Sequence, residues 1–295
     1  MHILLLGKSG QVGWELQRAL SPLGKITALD SRSIEWCGDL QQPEALRSTI
    51  NTLHPDIIVN AAAYTSVDLA ENDKDRARLI NTDCVAVIAQ EAKRINALLV
   101  HYSTDYVYSG HGESRWLETD LTAPVNTYGI TKRAGELAIE QQQGNYLIFR
   151  TSWVYSTRGN NFIRTMLRLA KEKEKLSIIN DQIGAPTSAA LIADVTAHAI
   201  RFSFKNADAC GIFNLAASGE TSWFEFANLI FKTAKDNNHP LNIKTVIPVA
   251  SSEYPTIAQR PLNSRLDLMK IENTFGLKMP VWKDGVIFTV KELLL

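Results

Sequence analysis

Three glycines, Gly7, Gly10 and Gly13, stand between a strand-like apolar run, His2-Ile-Leu-Leu-Leu6, and the start of a helical pattern. Few sequence features restrict a fold more. Glycine tolerates a tight turn at a strand's end, lets a phosphate approach the backbone, and lets the next helix close on the strand. The amino terminus of that helix then faces the anion. A second strand-like run, Lys25-Ile-Thr-Ala-Leu29, ends in Asp30, about 20 residues on, where a carboxylate can accept hydrogen bonds from adenosine ribose hydroxyls. Strand, glycine turn, helix, strand and acid in this order predict a dinucleotide site. The charge of Asp30 opposes a 2′-phosphate and favours NADH, whereas Arg32 could pair with that phosphate and admit NADPH. Arg32 as a solvated loop residue is the alternative.

The alternation continues along the chain. Pro43–Leu53 has the spacing of a short amphipathic helix, and Asp56-Ile-Ile-Val-Asn60 returns as a strand ending in Ala61-Ala62-Ala63, small residues that let backbone pass close to a flat ligand. Residues 67–96 read as helical, with 71–78 as a solvated face and Asn81 bonding backbone. Residues 98–103 read as a buried strand, 125–143 as a helix between Pro124 and Gly144, and 146–150 as the next strand. Strand and helix in alternation predict an α/β fold, a Rossmann-type doubly wound parallel sheet, with a smaller C-terminal α/β substrate lobe. In that lobe a basic helix follows Asn160-Asn161-Phe162 as far as Lys175, and the polar loop 180–187 carries groups able to hydrogen-bond a base or sugar. Helices near 189–202 and 222–235 alternate with short strands around Ile212 and Ile243 before a last helical segment. The expected division is 1–150 as dinucleotide-binding domain, rejoined by about 189–218, with 151–188 and 219–295 as the substrate-binding lobe.

A formal net charge of zero and a pI near 7.0 give no global field toward nucleic acid or an anionic membrane. An anionic ligand must therefore be held by local groups. Cys37, Cys84 and Cys210 are odd in number and widely spaced, which argues against a disulfide framework or zinc site and suggests a reducing cytoplasm. The apolar run after Met1 stops at Leu6, and no run approaches the roughly 20 residues of a membrane span. A cytoplasmic protein is expected.

Tyr128-Gly-Ile-Thr-Lys132 puts a phenol and an ammonium on one helix face. A nearby positive charge lowers a phenol's pKa, so the lysine is expected to activate the tyrosine. Thr104 and Asp105 follow the strand of 98–103, at the carboxyl end where ligands of open parallel sheets bind. Trp153 either lines a substrate pocket or plugs the core. Arg260 either pairs with a substrate diphosphate, for which its guanidinium is a bidentate match, or forms a structural salt bridge.

Gly7, Gly10, Gly13, Asp30, Asp39-Leu40, Asn60-Ala-Ala-Ala63, Ser103-Thr104-Asp105 and Tyr128-x-x-x-Lys132, all in sequence, resemble the extended short-chain dehydrogenase/reductase family. Within it the chain looks most like the branch that reduces dTDP-linked keto-deoxy sugars, through 101–108, 149–155, 180–187 and 260–265, so the match spans nearly the whole chain. The resemblance implies an NADH- or NADPH-dependent oxidoreductase of nucleotide-sugar and cell-surface polysaccharide biosynthesis that reduces a C4 ketone. It implies that Gly10, Gln11, Val12, Asp30, Asp39, Leu40, Ala62, Ala63, Tyr64 and Thr65 contact the dinucleotide. Tyr128 would be the acid, Lys132 its activator and ribose contact, Thr104 the catalytic hydroxyl, with Asp105 and Trp153 facing the sugar. Similar enzymes hold a magnesium ion at a homodimer contact with three glutamates; Glu15 and Glu292 are present here, but Ala190 takes the third place. Dehydratases of the family carry Thr-Asp-Glu where this chain has Thr104-Asp105-Tyr106. The rival readings are a nucleotide-sugar epimerase or dehydratase and a non-catalytic regulatory subunit.

Overall fold

Runs such as Ile3-Leu4-Leu5-Leu6 and Ile57-Ile58-Val59 are buried without alternation, as parallel strands covered on both faces by helices must be. The structure, a computed structural model, describes residues 1–204, 206 and 209–295. Its first half runs β1 (His2–Leu6), α1 (Gln11–Leu20), β2 (Lys25–Leu29), α2 (Pro43–Leu53), β3 (Ile57–Asn60), α3 (Val67–Ala70), α4 (Lys74–Arg78), α5 (Cys84–Arg94), β4 (Leu98–Thr104), α6 (Thr127–Gln141) and β5 (Tyr146–Thr151). Then follow β6 (Val154–Tyr155), α7 (Phe162–Glu172), β7 (Lys175–Ile179), β8 (Ile183–Gly184), β9 (Thr187–Ser188) and α8 (Ala189–Ser203). The chain closes with β10 (Gly211–Asn214), β11 (Thr221–Ser222), α9 (Trp223–Asp236), β12 (Thr245–Val249), α10 (Met269–Phe275) and α11 (Trp282–Leu293).

The main sheet has the order β10-β5-β4-β3-β1-β2 and is parallel throughout. Growth from β1 goes to β2 on one side and to β3 on the other, so the order reverses at β1 and leaves a crevice above the strand ends. One face of the sheet packs on Leu16 and Leu20 of α1 and Ile192, Ala193 and Ala199 of α8; the other packs on Leu46 and Ile50 of α2 and Ile88 of α5. A separate apolar cluster joins α7, α9 and α11 around Ile163, Phe226, Ile230 and Val286.

Four expectations need correction. The stretch 67–96 is interrupted: after α4 a wider turn, Leu79–Asp83, precedes α5, and it turns Asn81 inward to meet Tyr64 N (2.9 Å), Tyr64 O (3.1 Å) and Thr131 Oγ1 (3.2 Å). Glu71 is no solvated charge, because its carboxylate accepts from Thr127 N (2.7 Å) and Thr127 Oγ1 (2.9 Å) at the start of α6. That helix starts at Thr127, where Asn126 caps it by accepting from Gly129 N at 2.8 Å, and its exit is Gln143 at φ 52°, before the glycine. The strand near Ile243 begins at Thr245; Ile243 itself is buried against α7, its N–H donating to Ala170 O.

Candidate active site

The crevice is a cleft of about 940 Å³, and the glycine turn forms one wall. Gly7 sits at φ 87°, and a Cβ there would stand 2.8 Å from Ala61 C and Ala62 N. At Gly13 a Cβ would stand 2.0 Å from Gly7 O. Nothing larger than hydrogen fits between α1 and the turn, so Gly13 works by close approach and does not itself line the cleft, whereas Gly7, Gly10, Gln11 and Val12 do. Gly10 leads into α1 without a side-chain cap, which leaves the first N–H groups of the helix for an anion. Asp30, Asp39, Leu40, Ala62, Ala63, Tyr64 and Thr65 continue the wall. Burial works against the Asp30 carboxylate, but the N–H of Arg32, the Ser9 hydroxyl and the charges of Lys8 and Arg32 hold it below its ordinary value. Arg32 is 81% exposed, its guanidinium 3.9 Å from Asp30.

Across the cleft, β4 ends in Thr104 with Asp105 directly after it, and α6 delivers Tyr128 and Lys132. Tyr128 and Thr104 face the same cleft, and burial raises the Tyr128 pKa well above the ordinary value, against the neighbouring Thr104 hydroxyl. Lys132 does not offset this. Its Nζ donates to Tyr102 O at 2.6 Å and lies 3.1 Å from His101 Nε2, and burial lowers its pKa to about 8. At the Tyr128 phenol burial dominates over any effect of Lys132, whose amine is engaged by Tyr102 O and His101. Asp105 is pushed up to about 7 by burial, against hydrogen bonds from Ser264 and Thr104. Its Oδ2, Ser103 Oγ and Thr151 Oγ1 are buried without a partner, and all three residues line the cleft. Polar atoms buried so are open to a bound ligand or water. With the glycine turn closed to any side chain, the residues present fit a dinucleotide and a hydroxylated substrate.

Trp153 lines the cleft at φ 49°, stacked on Trp223 with ring centroids 3.7 Å apart. Trp223 opens α9 and also lines the cleft, as do Ser152 and Asn160, which sequence reasoning missed as site residues; Tyr106, expected beside Thr104 and Asp105, lines it as well. A serine cap followed by tryptophan at 222–223 was a signal only for a helix start. Arg260 is absent from the lining: it pairs with Asp68 of α3 and stands 3.4 Å from Tyr106 Oη. The loop 180–187 spends its polar groups internally, Asp181 accepting from Ser251 N (2.9 Å) and Oγ (2.6 Å), and Gln182 accepting from Trp223 Nε1 at 3.1 Å. Glu15 faces Arg18 at 3.6 Å, Ala190 has no donor, and among the described residues no group of three His, Cys, Asp or Glu side chains could hold a metal ion. Within one chain the third ligand expected for the magnesium site is thus missing.

A family description, the RmlD substrate binding domain, matches residues 1–295. The chain is 52% identical over 293 residues to a dTDP-4-dehydrorhamnose reductase of Escherichia coli K12, covering 99% of this chain and 98% of that one. It is similar to the crystal structure of such a reductase from Bacillus anthracis in complex with NADP, with TM-score 0.86, 34% identity and 99% of each chain covered. A reductase structure from Clostridium acetobutylicum matches with TM-score 0.90, 31% identity and the whole of both chains.

Proposed function

The chain belongs to the dTDP-4-dehydrorhamnose reductase family, and from that premise we propose how its residues carry out the reduction of the C4 ketone of dTDP-4-dehydro-L-rhamnose to dTDP-L-rhamnose with NADH or NADPH. The observation that carries the proposal is the placement of Tyr128, Thr104 and Lys132 in one cleft with the glycine turn. The bound nicotinamide supplies the hydride. Tyr128, kept protonated at neutral pH by burial, gives its proton to the carbonyl oxygen as charge develops there. Thr104 orients that phenol and hydrogen-bonds the same oxygen. Lys132 has an N–H left for the nicotinamide ribose, and its ammonium, with a pKa lowered by burial to about 8, favours the phenolate that remains.

Asp105 offers its unpartnered Oδ2 to a sugar hydroxyl, and Trp153 forms the apolar wall beside it. Arg260 meets the diphosphate from beside Tyr106, sharing its guanidinium with Asp68. Gly7, Gly10, Gln11, Val12, Asp30, Asp39, Leu40, Ala62, Ala63, Tyr64 and Thr65 hold the dinucleotide, with Gly13 setting the close approach that shapes the turn. The dinucleotide domain is 1–150 with 189–218, supported by β10 adding to the sheet beside β5; 151–188 and 219–295 form the substrate lobe. No described helix is long and apolar enough to cross a membrane. The proposal extends to a cytoplasmic enzyme that serves cell-surface polysaccharide synthesis and pairs as a homodimer, which sedimentation would measure.

Tyr106 stands where a dehydratase of the family has its glutamate, and its phenol is pushed up to about 12 by burial. Such a group is a poor base at neutral pH, so elimination has no agent while reduction lacks none. The test is cofactor oxidation with dTDP-4-dehydrorhamnose, expected one for one with product. Incubation with dTDP-glucose and NAD should give no loss of water by mass spectrometry; dehydration at a catalytic rate would overturn the assignment.

A further inference from the structure

We propose that Asn161 is a positioning residue for Gln11: it holds the amide oxygen of Gln11, so that the Gln11 NH₂ is the group offered to the dinucleotide pyrophosphate at the glycine turn. Of the four amide ends that meet here, one has a fixed role. A backbone N–H only donates, so the Asn161 atom 3.2 Å from Arg164 N, which caps α7, is the amide oxygen. The other end of Asn161 is then its NH₂. It donates to Ser156 O at 2.7 Å, to Gln11 at 3.0 Å and to Arg158 O at 3.2 Å. An NH₂ needs a lone pair opposite it, and of the two ends of the Gln11 amide only the oxygen has one. Ser156 Oγ stands 3.2 Å from that same oxygen, with its single proton also within reach of Arg158 O at 2.8 Å. Both contacts of the Gln11 side chain among the described residues thus run through its oxygen, and its two N–H groups are left for a ligand. Gln11 lines the cleft beside Gly10, where the first N–H groups of α1 already face an anion. Turned over, the same amide would meet that anion with a lone pair.

Asn161 acts from outside the glycine turn. It lies in the segment between β6 and α7, 150 residues from Gln11, and that segment meets α1 at two further points. The Arg158 guanidinium lies over the Trp14 ring, 3.8 Å from its centroid. Gly159, at φ 68°, passes so near that a Cβ there would stand 3.3 Å from Gln11 Cγ. The segment is also closed on itself: Arg158 N donates to Ser156 Oγ at 3.0 Å, and Arg164 Nη1 donates to Thr157 O at 2.7 Å. Ser156 is buried, and Asn160 in the same segment lines the cleft. A residue from the part of the chain that carries Trp153 therefore sets which end of the Gln11 amide the phosphate-binding turn presents.

Because this role rests on the dinucleotide reading of the cleft, binding is measured before turnover: NADH binding by fluorescence, and melting of the ligand-free protein, in Asn161→Ser, Gln11→Ala and the double variant. Serine caps a helix as well as asparagine does, but its one oxygen is then taken by Arg164 N and leaves Gln11 unheld. Asn161→Ser should raise the NADH dissociation constant about threefold to tenfold, and Gln11→Ala by about tenfold, the low end for a hydrogen bond to a charged group. The double variant should bind no more weakly than Gln11→Ala alone, because Asn161 acts through Gln11. Losses that multiply, or native-like binding in Asn161→Ser, would overturn the proposal and leave Asn161 as a cap of α7 only. Gln11→Glu does not touch that cap. Its carboxylate still accepts from Asn161 Nδ2, so the melting temperature should hold, but it offers oxygen in place of NH₂, and NADH should bind at least as weakly as it does to Gln11→Ala. Native-like binding to Gln11→Glu would equally sink the proposal. In turnover by Asn161→Ser, the KM for cofactor should rise more than the KM for the sugar, a split that a general loosening of α7 would not give. A native protein that binds neither NADH nor NADPH would remove the dinucleotide reading itself, and this role with it.

Discussion

Tyr128 carries the largest expected single-residue effect. Tyr128→Phe keeps the ring that meets Tyr106 edge-on at 5.6 Å and removes only the proton, so turnover should fall by about 10² to 10⁴ while NADH binding, followed by fluorescence, barely changes. Arg32 should matter for one cofactor alone. Being 81% exposed, it can leave Asp30 for a 2′-phosphate, so Arg32→Ala should weaken NADPH by about tenfold, at the low end for a charge-assisted contact, and spare NADH; equal losses would remove its assigned role. Asp105 gives a pH dependence of stability. Its folded-state pKa, about 7, lies above the ordinary carboxylate value of 3.8, so between those limits the folded protein binds the extra proton. Stability therefore falls as pH rises through that window and levels off above it. Asp105→Asn should remove this slope, and melting curves should show a larger gain at pH 8 than at pH 4.

The glycine turn and α1 act as one element. A methyl at position 13 would stand 2.0 Å from Gly7 O, whereas one at position 10 meets that oxygen at 3.4 Å. Gly13→Ala must push α1 off the turn, at about 1 to 3 kcal/mol for forced overpacking, and should raise the dinucleotide dissociation constant at least about tenfold. Gly10→Ala should perturb stability far less. Comparable melting temperatures for the two variants would show that the helix does not depend on this approach. The start of α6 shows a different dependence: Asn126 caps it from within the sequence, but its first N–H is taken by Glu71 from a separate segment. The helix carrying Tyr128 and Lys132 is thereby anchored to the cofactor side of the cleft.

Across the whole molecule the deepest tie is Arg150, 1% exposed, whose guanidinium meets Glu136 of α6 at 2.7 and 3.0 Å, Tyr108 Oη at 2.8 Å and Glu118 O at 3.2 Å. Arg150→Met leaves Glu136 with only Arg133, and losing one partner of a buried pair costs about 3 to 5 kcal/mol; chemical denaturation should register that loss, and a change below about 1 kcal/mol would contradict it. Much of this protein was legible in its sequence because those parts depend on local periodicity: the glycine turn, β1 to β5, the pairing of Tyr128 with Lys132 on one helix face, and the α/β class. Backbone preference and burial pattern repeat over a few residues, so a stretch declares them without its neighbours. Partners far apart in the chain are another matter. Trp223 stacks on Trp153 across 70 residues of sequence, Arg260 finds Asp68, Glu71 reaches Thr127, and Asn60 meets His101. Which polar group meets which is decided when strands take their register and loops close, because each such contact satisfies a buried group that any of several residues could have served. Sequence alone determined the elements and the chemistry that they carry; tertiary structure decided which charges are free for ligands and which are already held by the protein.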